Sequence, residues 1–101
     1  MKIMNDYYIS APEEHIKKEK NKAQELRRSQ WWKNRRGTGT CHYCNGRFNP
    51  KELTMDHVVP LVRGGRSVKS NLVPCCADCN SKKRDLIPIE WSAYLAQLSQ
   101  Q

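Results

Sequence analysis

The segments Cys41-His42-Tyr43-Cys44 and Cys76-Ala77-Asp78-Cys79 enclose the stretch Met55-Asp56-His57-Val58-Val59-Pro60-Leu61 and decide how this chain folds. Each enclosing segment is a Cys-x-x-Cys pair, and two such pairs are typical of zinc knuckles that together complete one tetrahedral site. The pattern predicts a structural Zn²⁺ ion whose ligands are Cys41, Cys44, Cys76 and Cys79. The stretch between the pairs is then a loop held at both ends.

The small size of the chain favours a metal as its stabilising element. The sequence has 101 residues, of which 38% are hydrophobic, so one domain with a thin core is expected. Structural zinc contributes on the order of 10 kcal/mol to the folding of zinc-finger peptides, because the unfolded chain has no preformed site. The fifth cysteine, Cys75, does not fit the knuckle spacing and is expected to be a buried or half-buried free thiol.

Disulfide bonds are the competing explanation for the cysteines. Residues 1–6 contain no continuous hydrophobic run of the kind that directs export, and the cysteines pair locally as knuckles. We therefore expect a cytoplasmic protein with reduced thiols. No stretch is long enough to span a bilayer, so no membrane partner is expected.

The charge of the chain favours a polyanionic partner. Lysine and arginine number 18 against 10 acidic residues, which gives a formal net charge of +8. A solvated surface is the alternative explanation, but the basic residues are clustered. They crowd the first third of the chain and the segments around the central stretch: Lys17, Lys18, Lys20, Lys22, Arg27, Arg28, Lys33, Arg35, Arg36, Arg63, Arg66, Lys69, Lys82, Lys83 and Arg84.

The first part of the chain is predicted to be a basic helical arm over residues 1–38. The sequence Ser10-Ala11-Pro12-Glu13 resembles a capping box, so a helix is expected from about Ala11 to about Lys33. Adjacent indoles on a helix point about 100° apart, so of Trp31 and Trp32 only one is expected in the core. Stacking of a tryptophan on nucleic acid is the alternative.

The remaining segments predict an α+β core over residues 39–86 and a C-terminal helix over residues 87–101. Residues 53–59 favour a strand, residues 71–74 its return partner, and residues 77–85 a helix. After Pro88, apolar residues at i, i+3, i+4 and i+7 predict an amphipathic helix that covers the core. These apolar residues are Trp91, Tyr94, Leu95 and Leu98. We expect residues 1–101 to form a single domain.

Strand, loop, strand and helix in this order, with Asp56-His57 on the first strand, resemble the HNH endonuclease family and its ββα-metal core. The resemblance covers roughly residues 39–86. It is specific because several motifs occur in order: the two cysteine pairs, Asp56-His57 with Pro60, Gly64-Gly65, Asn71-Leu72-Val73-Pro74, and Asn80 with Lys83. The last letter of the family name is here Asn80 rather than His, a variant that occurs within the family.

Phosphodiester hydrolysis needs a base that deprotonates water and a cation that neutralises charge on the phosphoryl group. His57 suits the first role because an unperturbed histidine is mostly neutral at physiological pH. Asp56 and Asn80 offer oxygen ligands that suit Mg²⁺ or Mn²⁺, and the resemblance implies these same roles. It also implies that Asn71 ties the hairpin loop together and orients His57. Because neighbouring strand residues face opposite ways, Asp56 and His57 are expected at an irregular strand end.

Nucleic-acid contacts are expected from four basic residues near this site: Lys83, Arg84, Lys82 and Arg63. The resemblance supports Lys83 in particular, since it matches a basic position of the family after Asn80. Solvation of a helix end, where cations are favourable, is the alternative for Lys83 and Arg84.

These features predict a metal-dependent endonuclease that hydrolyses DNA, double-stranded DNA above all, and leaves 5′-phosphate and 3′-hydroxyl ends as the resemblance implies. The alternatives are a non-catalytic zinc-binding nucleic-acid module and an iron-binding Cys₄ protein of the rubredoxin type. A domain this small has few residues for base recognition, so we expect weak specificity or help from another DNA-processing protein. A bacterial or phage protein associated with the nucleoid fits this interpretation.

Overall fold

Two strands and four helices make up the described part of this computed structural model, which is residues 10–99. The small α+β fold agrees with the prediction. The elements in chain order are α1 (Glu13–Arg27), α2 (Gln30–Gly37), β1 (Thr54–His57), β2 (Leu72–Cys75), α3 (Ala77–Lys83) and α4 (Pro88–Ser99). Residues 1–9 of the predicted arm and residues 100–101 lie outside the described residues.

The N-terminal region contains two helices rather than the predicted single one. Ser29 has extended backbone (φ −75°, ψ 153°), and its hydroxyl accepts the amide proton of Trp32, so it caps α2. A serine in this role ends one helix and begins the next, because its side chain replaces a missing intrahelical partner. The predicted capping box at the start of α1 is also wrong. The N-cap there is Pro12, and the Ser10 hydroxyl instead donates to the Ala11 carbonyl.

The sheet is a single antiparallel pair in which Thr54 lies opposite Cys75 and His57 lies opposite Leu72. The long connection between the strands folds back on itself at Gly65, whose amide donates to the Pro60 carbonyl at 2.9 Å. A Cβ at this position would lie 1.7 Å from the Val59 carbonyl oxygen, so only glycine allows this close approach. The predicted strand and helix positions are confirmed with shifted ends, since α3 ends at Lys83 instead of residue 85.

The core lies around the four clustered cysteines, as a metal-stabilised domain requires. Its buried residues include Cys41, Leu53 and Cys75, with Tyr43 and Phe48 packed against them. A second contact region joins the N-terminal helices to the body, and Ala23 and Trp32 are buried there. Trp31 is only half-buried, with Lys69 Nζ 5.6 Å from its ring, so the expectation of one tryptophan in the core is confirmed.

The C-terminal helix covers the core through its first half only. Trp91 is buried and meets Tyr43 edge-on at a ring distance of 5.7 Å. Arg63 binds both carboxylate oxygens of Glu90, at 2.9 and 3.1 Å, which attaches α4 to the interstrand connection. Leu95 and Leu98 are each 41% exposed, so the predicted apolar cover does not extend over the second half of the helix. Within residues 10–99, no helix is long and apolar enough to cross a membrane.

Candidate active site

The four cysteines of the two Cys-x-x-Cys pairs converge into one cluster. Their Sγ atoms all lie within 4.8 Å of one another, and the Sγ atoms of Cys44 and Cys76 are 3.9 Å apart. A tetrahedral site with Zn–S bonds of about 2.3 Å separates its sulfurs by about 3.8 Å, so the cluster fits zinc. Backbone amides of Gly46, Cys76 and Cys79 point at the sulfurs of Cys44, Cys41 and Cys76, respectively. Such N–H groups stabilise thiolates, and these residues can hold a metal such as zinc.

Cys75 lies outside this cluster, as the spacing predicted. It is fully buried, and its thiol donates to the Cys76 carbonyl. Burial raises the pKa of Cys75 to about 12, so the group stays a thiol at neutral pH. A buried, protonated thiol is neither a zinc ligand nor a nucleophile.

A cleft of about 280 Å³ opens beside the sheet and brings together three of the residues singled out in the sequence: Asp56, His57 and Asn80. Asp56 and His57 belong to β1, whereas Asn80 is an exposed residue of α3. Two basic residues, Lys20 of α1 and Arg84 after α3, also line the cleft. The cleft therefore combines oxygen donors, an imidazole and two cations.

Asp56 is held through one of its two carboxylate oxygens. Its Oδ2 accepts the hydroxyl proton of Tyr43 at 2.5 Å and lies 3.3 Å from the ammonium of Lys83. Burial, followed by the hydrogen bond to Asp56, raises the pKa of Tyr43, so the phenol remains a donor. Both contacts are made to Oδ2, and Asp56 also lines the cleft.

His57 is held in one tautomer by a chain of hydrogen bonds. Its Nε2 lies 2.9 Å from the hydroxyl of Ser67, and that hydroxyl lies 2.5 Å from the backbone carbonyl of Glu19. A carbonyl oxygen cannot donate, so Ser67 gives its only proton to Glu19 and must accept from His57. This chain of hydrogen bonds favours the tautomer with the ring proton on Nε2 and the lone pair on Nδ1. Burial lowers the pKa of His57, and the Asp56 carboxylate opposes this effect. The lowered pKa keeps the ring neutral.

Comparison with protein-family models finds one match to this arrangement. The model of the HNH endonuclease family matches residues 41–94, which is more than half of the chain and includes both cysteine pairs and the cleft residues Asp56, His57 and Asn80. The chain belongs to the HNH endonuclease family. A search of curated proteins found no significant match.

Asn71, at the middle position of the HNH motif, ties the interstrand connection together. Its side-chain carbonyl accepts the Val59 amide at 2.8 Å, and its side-chain amide donates to the carbonyls of Val59 and Arg66 at 3.1 and 2.9 Å. Its own carbonyl accepts the amide of Val58. These bonds shape the backbone immediately after His57, and Asn71 itself is not part of the cleft lining.

Asp56 and His57, the first residues of the HNH motif, were expected in irregular backbone at a strand end. They lie instead in the regular, paired part of β1. They lie opposite Val73 and Leu72 of β2, and their side chains diverge towards different partners. Both nevertheless line the cleft, because it opens around the end of β1. A regular strand end is therefore compatible with this site.

Lys83 does not occupy the surface position that a phosphate contact requires. Its side chain is fully buried, and its ammonium contacts Asp56 Oδ2 at 3.3 Å and donates to the His57 carbonyl at 3.2 Å. It also lies 5.5 Å from the ring centroid of Tyr43. This buried cation balances the charge of the Asp56 carboxylate and binds the backbone of β1 within the HNH core.

The other three predicted phosphate contacts differ in their surroundings. Arg63 binds Glu90 and the Asp85 carbonyl, so its guanidinium is engaged within the domain. Lys82 is exposed and pairs with Asp78 at 3.1 Å one helical turn away. Arg84 is exposed, lines the cleft and has a positive φ of 48° where the chain leaves α3.

Four residues that help to form this site were not identified as site residues from the sequence: Glu19, Lys20, Tyr43 and Ser67. Tyr43 lies between the two cysteines of the first knuckle, where an aromatic residue can be noticed in the sequence. Its hydrogen-bond partner, Asp56, is determined only by the tertiary packing. Glu19 and Lys20 were hidden among the charged residues of α1, and Ser67 among the polar residues of the interstrand connection. His15 of α1 is half-buried, and its Nε2 lies 2.8 Å from the Gly65 carbonyl.

Proposed function

We propose that this HNH domain is a metal-dependent endonuclease that hydrolyses phosphodiester bonds of DNA, with double-stranded DNA as its main substrate. The observation that carries the proposal is the shared cleft of Asp56, His57 and Asn80, in which His57 Nε2 lies 2.9 Å from the Ser67 hydroxyl. Nδ1 of His57 is then free to accept a proton from the attacking water. The neutral ring is the form that this role requires.

The oxygen donors of the cleft fit a hard divalent cation. Asp56 offers a carboxylate oxygen and Asn80 its side-chain carbonyl, and such oxygens suit Mg²⁺ or Mn²⁺, whose remaining positions are filled by water and phosphate. When bound, such an ion supplies charge neutralisation at the phosphoryl group and the departing 3′ oxygen. The role of Asp56 is to bind this cation and that of Asn80 is to complete the site from α3. Asn71 and Lys83 hold the two strands in position behind them.

The charge of the chain and of the cleft supports nucleic acid as the substrate. The formal net charge is +8, and Lys20 and Arg84 border the acidic and imidazole groups of the cleft. Both can contact phosphates on either side of the bond that is cut, whereas Lys82 contributes at the outer surface of α3. The thiolates of the zinc cluster require a reducing compartment, so we place the activity in the cytoplasm.

A plasmid-nicking assay with Mg²⁺ or Mn²⁺ tests the proposal. His57→Ala should reduce cleavage by about 10²–10⁴-fold, because it removes the base, and should leave DNA affinity and zinc content unchanged. His42→Ala, which removes an exposed histidine of the first knuckle, is the matched control and should retain activity. If the native protein binds DNA but cuts no nucleic acid with either ion, a non-catalytic zinc-binding module is the better interpretation.

A further inference from the structure

Helix α1 is mostly solvent-exposed and basic, and these surroundings do not explain the burial of one of its acidic residues. Glu19 is only 2% exposed, although most of the neighbouring residues of this helix are solvent-accessible. A buried carboxylate is costly unless hydrogen bonds compensate for the lost water. An apolar residue at this position would pack the helix against the body without the cost of burying a charge. The buried carboxylate therefore indicates a specific hydrogen-bond partner.

The partner of Glu19 is Ser67, 48 residues further along the chain. The Glu19 carboxylate accepts the Ser67 backbone amide proton at 2.6 Å, and the Glu19 backbone carbonyl accepts the Ser67 hydroxyl proton at 2.5 Å. The amide of Ser67 lowers the pKa of Glu19 against the opposing effect of burial, and Lys22, 3.4 Å away, adds to the lowering. These two bonds hold both the backbone and the hydroxyl of Ser67 in one orientation.

We propose that Glu19 and Ser67 are positioning residues that hold His57 with its proton on Nε2 and its Nδ1 available to the cleft. The proposal rests on the proposed function, since the orientation of His57 matters only if His57 acts as the base. The Ser67 hydroxyl has a single proton, which Glu19 directs away from the imidazole, so a lone pair faces Nε2 at 2.9 Å. In the other tautomer two lone pairs would face each other, and that form is disfavoured.

Helix α1 then has a role in positioning His57, in addition to the contacts of its basic residues with DNA. Glu19 lies outside residues 41–94, the part of the chain that matches the HNH family model. The helix also contributes Ile16 and Lys20 to the wall of the cleft, and the amide of Ala11 just before it donates to the Val62 carbonyl at 2.8 Å. The N-terminal helix thus forms part of the cleft together with α3.

The first test is the tautomer of His57 in the native, zinc-loaded protein. Long-range ¹⁵N–¹H NMR correlations distinguish an Nε2–H from an Nδ1–H imidazole, and we expect the Nε2–H pattern. Ser67→Ala should replace it with an exchange-averaged or Nδ1–H pattern, whereas Ser70→Ala, an exposed serine of the same connection, should leave it unchanged. An Nδ1–H ring in the native protein would overturn the proposal, whether or not any variant folds.

The second test is kinetic and uses the same variants. Ser67→Ala should lower kcat for DNA cleavage by about 10–100-fold with KM unchanged, the range seen when outer partners of functional histidines are removed. Glu19→Gln keeps an oxygen acceptor for the Ser67 amide and should retain most activity, whereas Glu19→Ala removes that acceptor but keeps the backbone carbonyl that accepts the Ser67 hydroxyl, so kcat should fall less than in Ser67→Ala. Glu25→Ala, an exposed position on the same helix, is the control.

The two proposals fail in different ways. If the native protein cleaves no nucleic acid, the proposed function fails, and the tautomer measurement still decides whether Ser67 positions His57. If the native protein cleaves DNA but Ser67→Ala retains full kcat and the native tautomer, the positioning role is excluded while the nuclease assignment stands.

Discussion

The hydroxyl of Tyr43 donates to Oδ2 of Asp56 at 2.5 Å, which connects the first zinc knuckle directly to the strand that carries the proposed metal ligand. Tyr43 lies between Cys41 and Cys44, so a metal held by the cysteine cluster would restrict the backbone from which this hydrogen bond is made. The side chain of Tyr43 therefore links the cysteine cluster to the cleft.

Replacement of Tyr43 by Phe should loosen Asp56 without removing the aromatic ring from the core. The variant loses one hydrogen bond to a charged group, and we expect a loss of about 1.5–3 kcal/mol of stability. Because Asp56 is then held by Lys83 alone, half-maximal cleavage should need several-fold more Mg²⁺, with zinc content unchanged. A Mg²⁺ titration of cleavage measures this effect, with Tyr94→Phe as the control. An unchanged Mg²⁺ dependence would contradict the coupling.

Elemental analysis should find one zinc ion per chain. Replacement of any cluster cysteine, for example Cys41→Ser, should abolish zinc binding and unfold the domain, because much of its stability comes from the metal. Cys75→Ser is the matched comparison: the residue is equally buried but lies outside the cluster, so zinc should be retained. Folded, pure protein without zinc would disprove this prediction.

Lys83 and Lys82 are neighbours in sequence with opposite environments. Lys83→Ala should destabilise the domain by about 3–5 kcal/mol, because it leaves the largely buried Asp56 carboxylate without its cation and creates a cavity. Lys82→Ala removes an exposed ion pair and should leave stability nearly unchanged. Urea denaturation of both variants gives the comparison. Equal, small effects would mean that Lys83 is not buried in solution.

Salt dependence should identify the phosphate contacts. On duplex DNA, each contact contributes a slope of about −0.9 to the plot of log affinity against log salt concentration. Arg84→Ala and Lys20→Ala should each reduce the magnitude of this slope by about one contact, and should weaken binding to all sequences alike. Lys18→Ala is an exposed control on α1 that lies outside the cleft lining. If it changes the slope as much as Lys20→Ala, the cleft cations have no special part in binding.

The attachment of α4 should depend on pH through Glu90. The hydrogen bonds from Arg63, followed by that from the Ile87 amide, lower the pKa of Glu90 below its ordinary value of 4.5. A lowered folded-state pKa stabilises the protein above the unfolded-state value, and this contribution is lost as the pH falls through the folded-state value. The difference in Tm between the native protein and Glu90→Gln should therefore be largest near pH 7 and shrink below pH 4.5. A difference that stays constant with pH would exclude an ionised Glu90.

The sequence by itself determined the elements that depend on local spacing. Two cysteines three positions apart can present their thiols together, so the cluster of Cys41, Cys44, Cys76 and Cys79 was predictable from their spacing alone. The order of Asp56-His57, Asn71 and Asn80 likewise predicted two strands and a helix around one site, and the structure brings Asp56, His57 and Asn80 to one cleft. The family match over residues 41–94 agrees with this reading of the motifs.

Only the tertiary structure decided which polar side chains support that site. Lys83 and Lys82 are chemically identical in the sequence, and burial alone makes one a partner of Asp56 and leaves the other on the surface. The bonds between Glu19 and Ser67 join residues 48 positions apart, and no local pattern encodes such a contact. The reason is physical: ligand spacing is a property of neighbouring residues, whereas a hydrogen bond across the fold exists only after tertiary packing has set the distance between its ends.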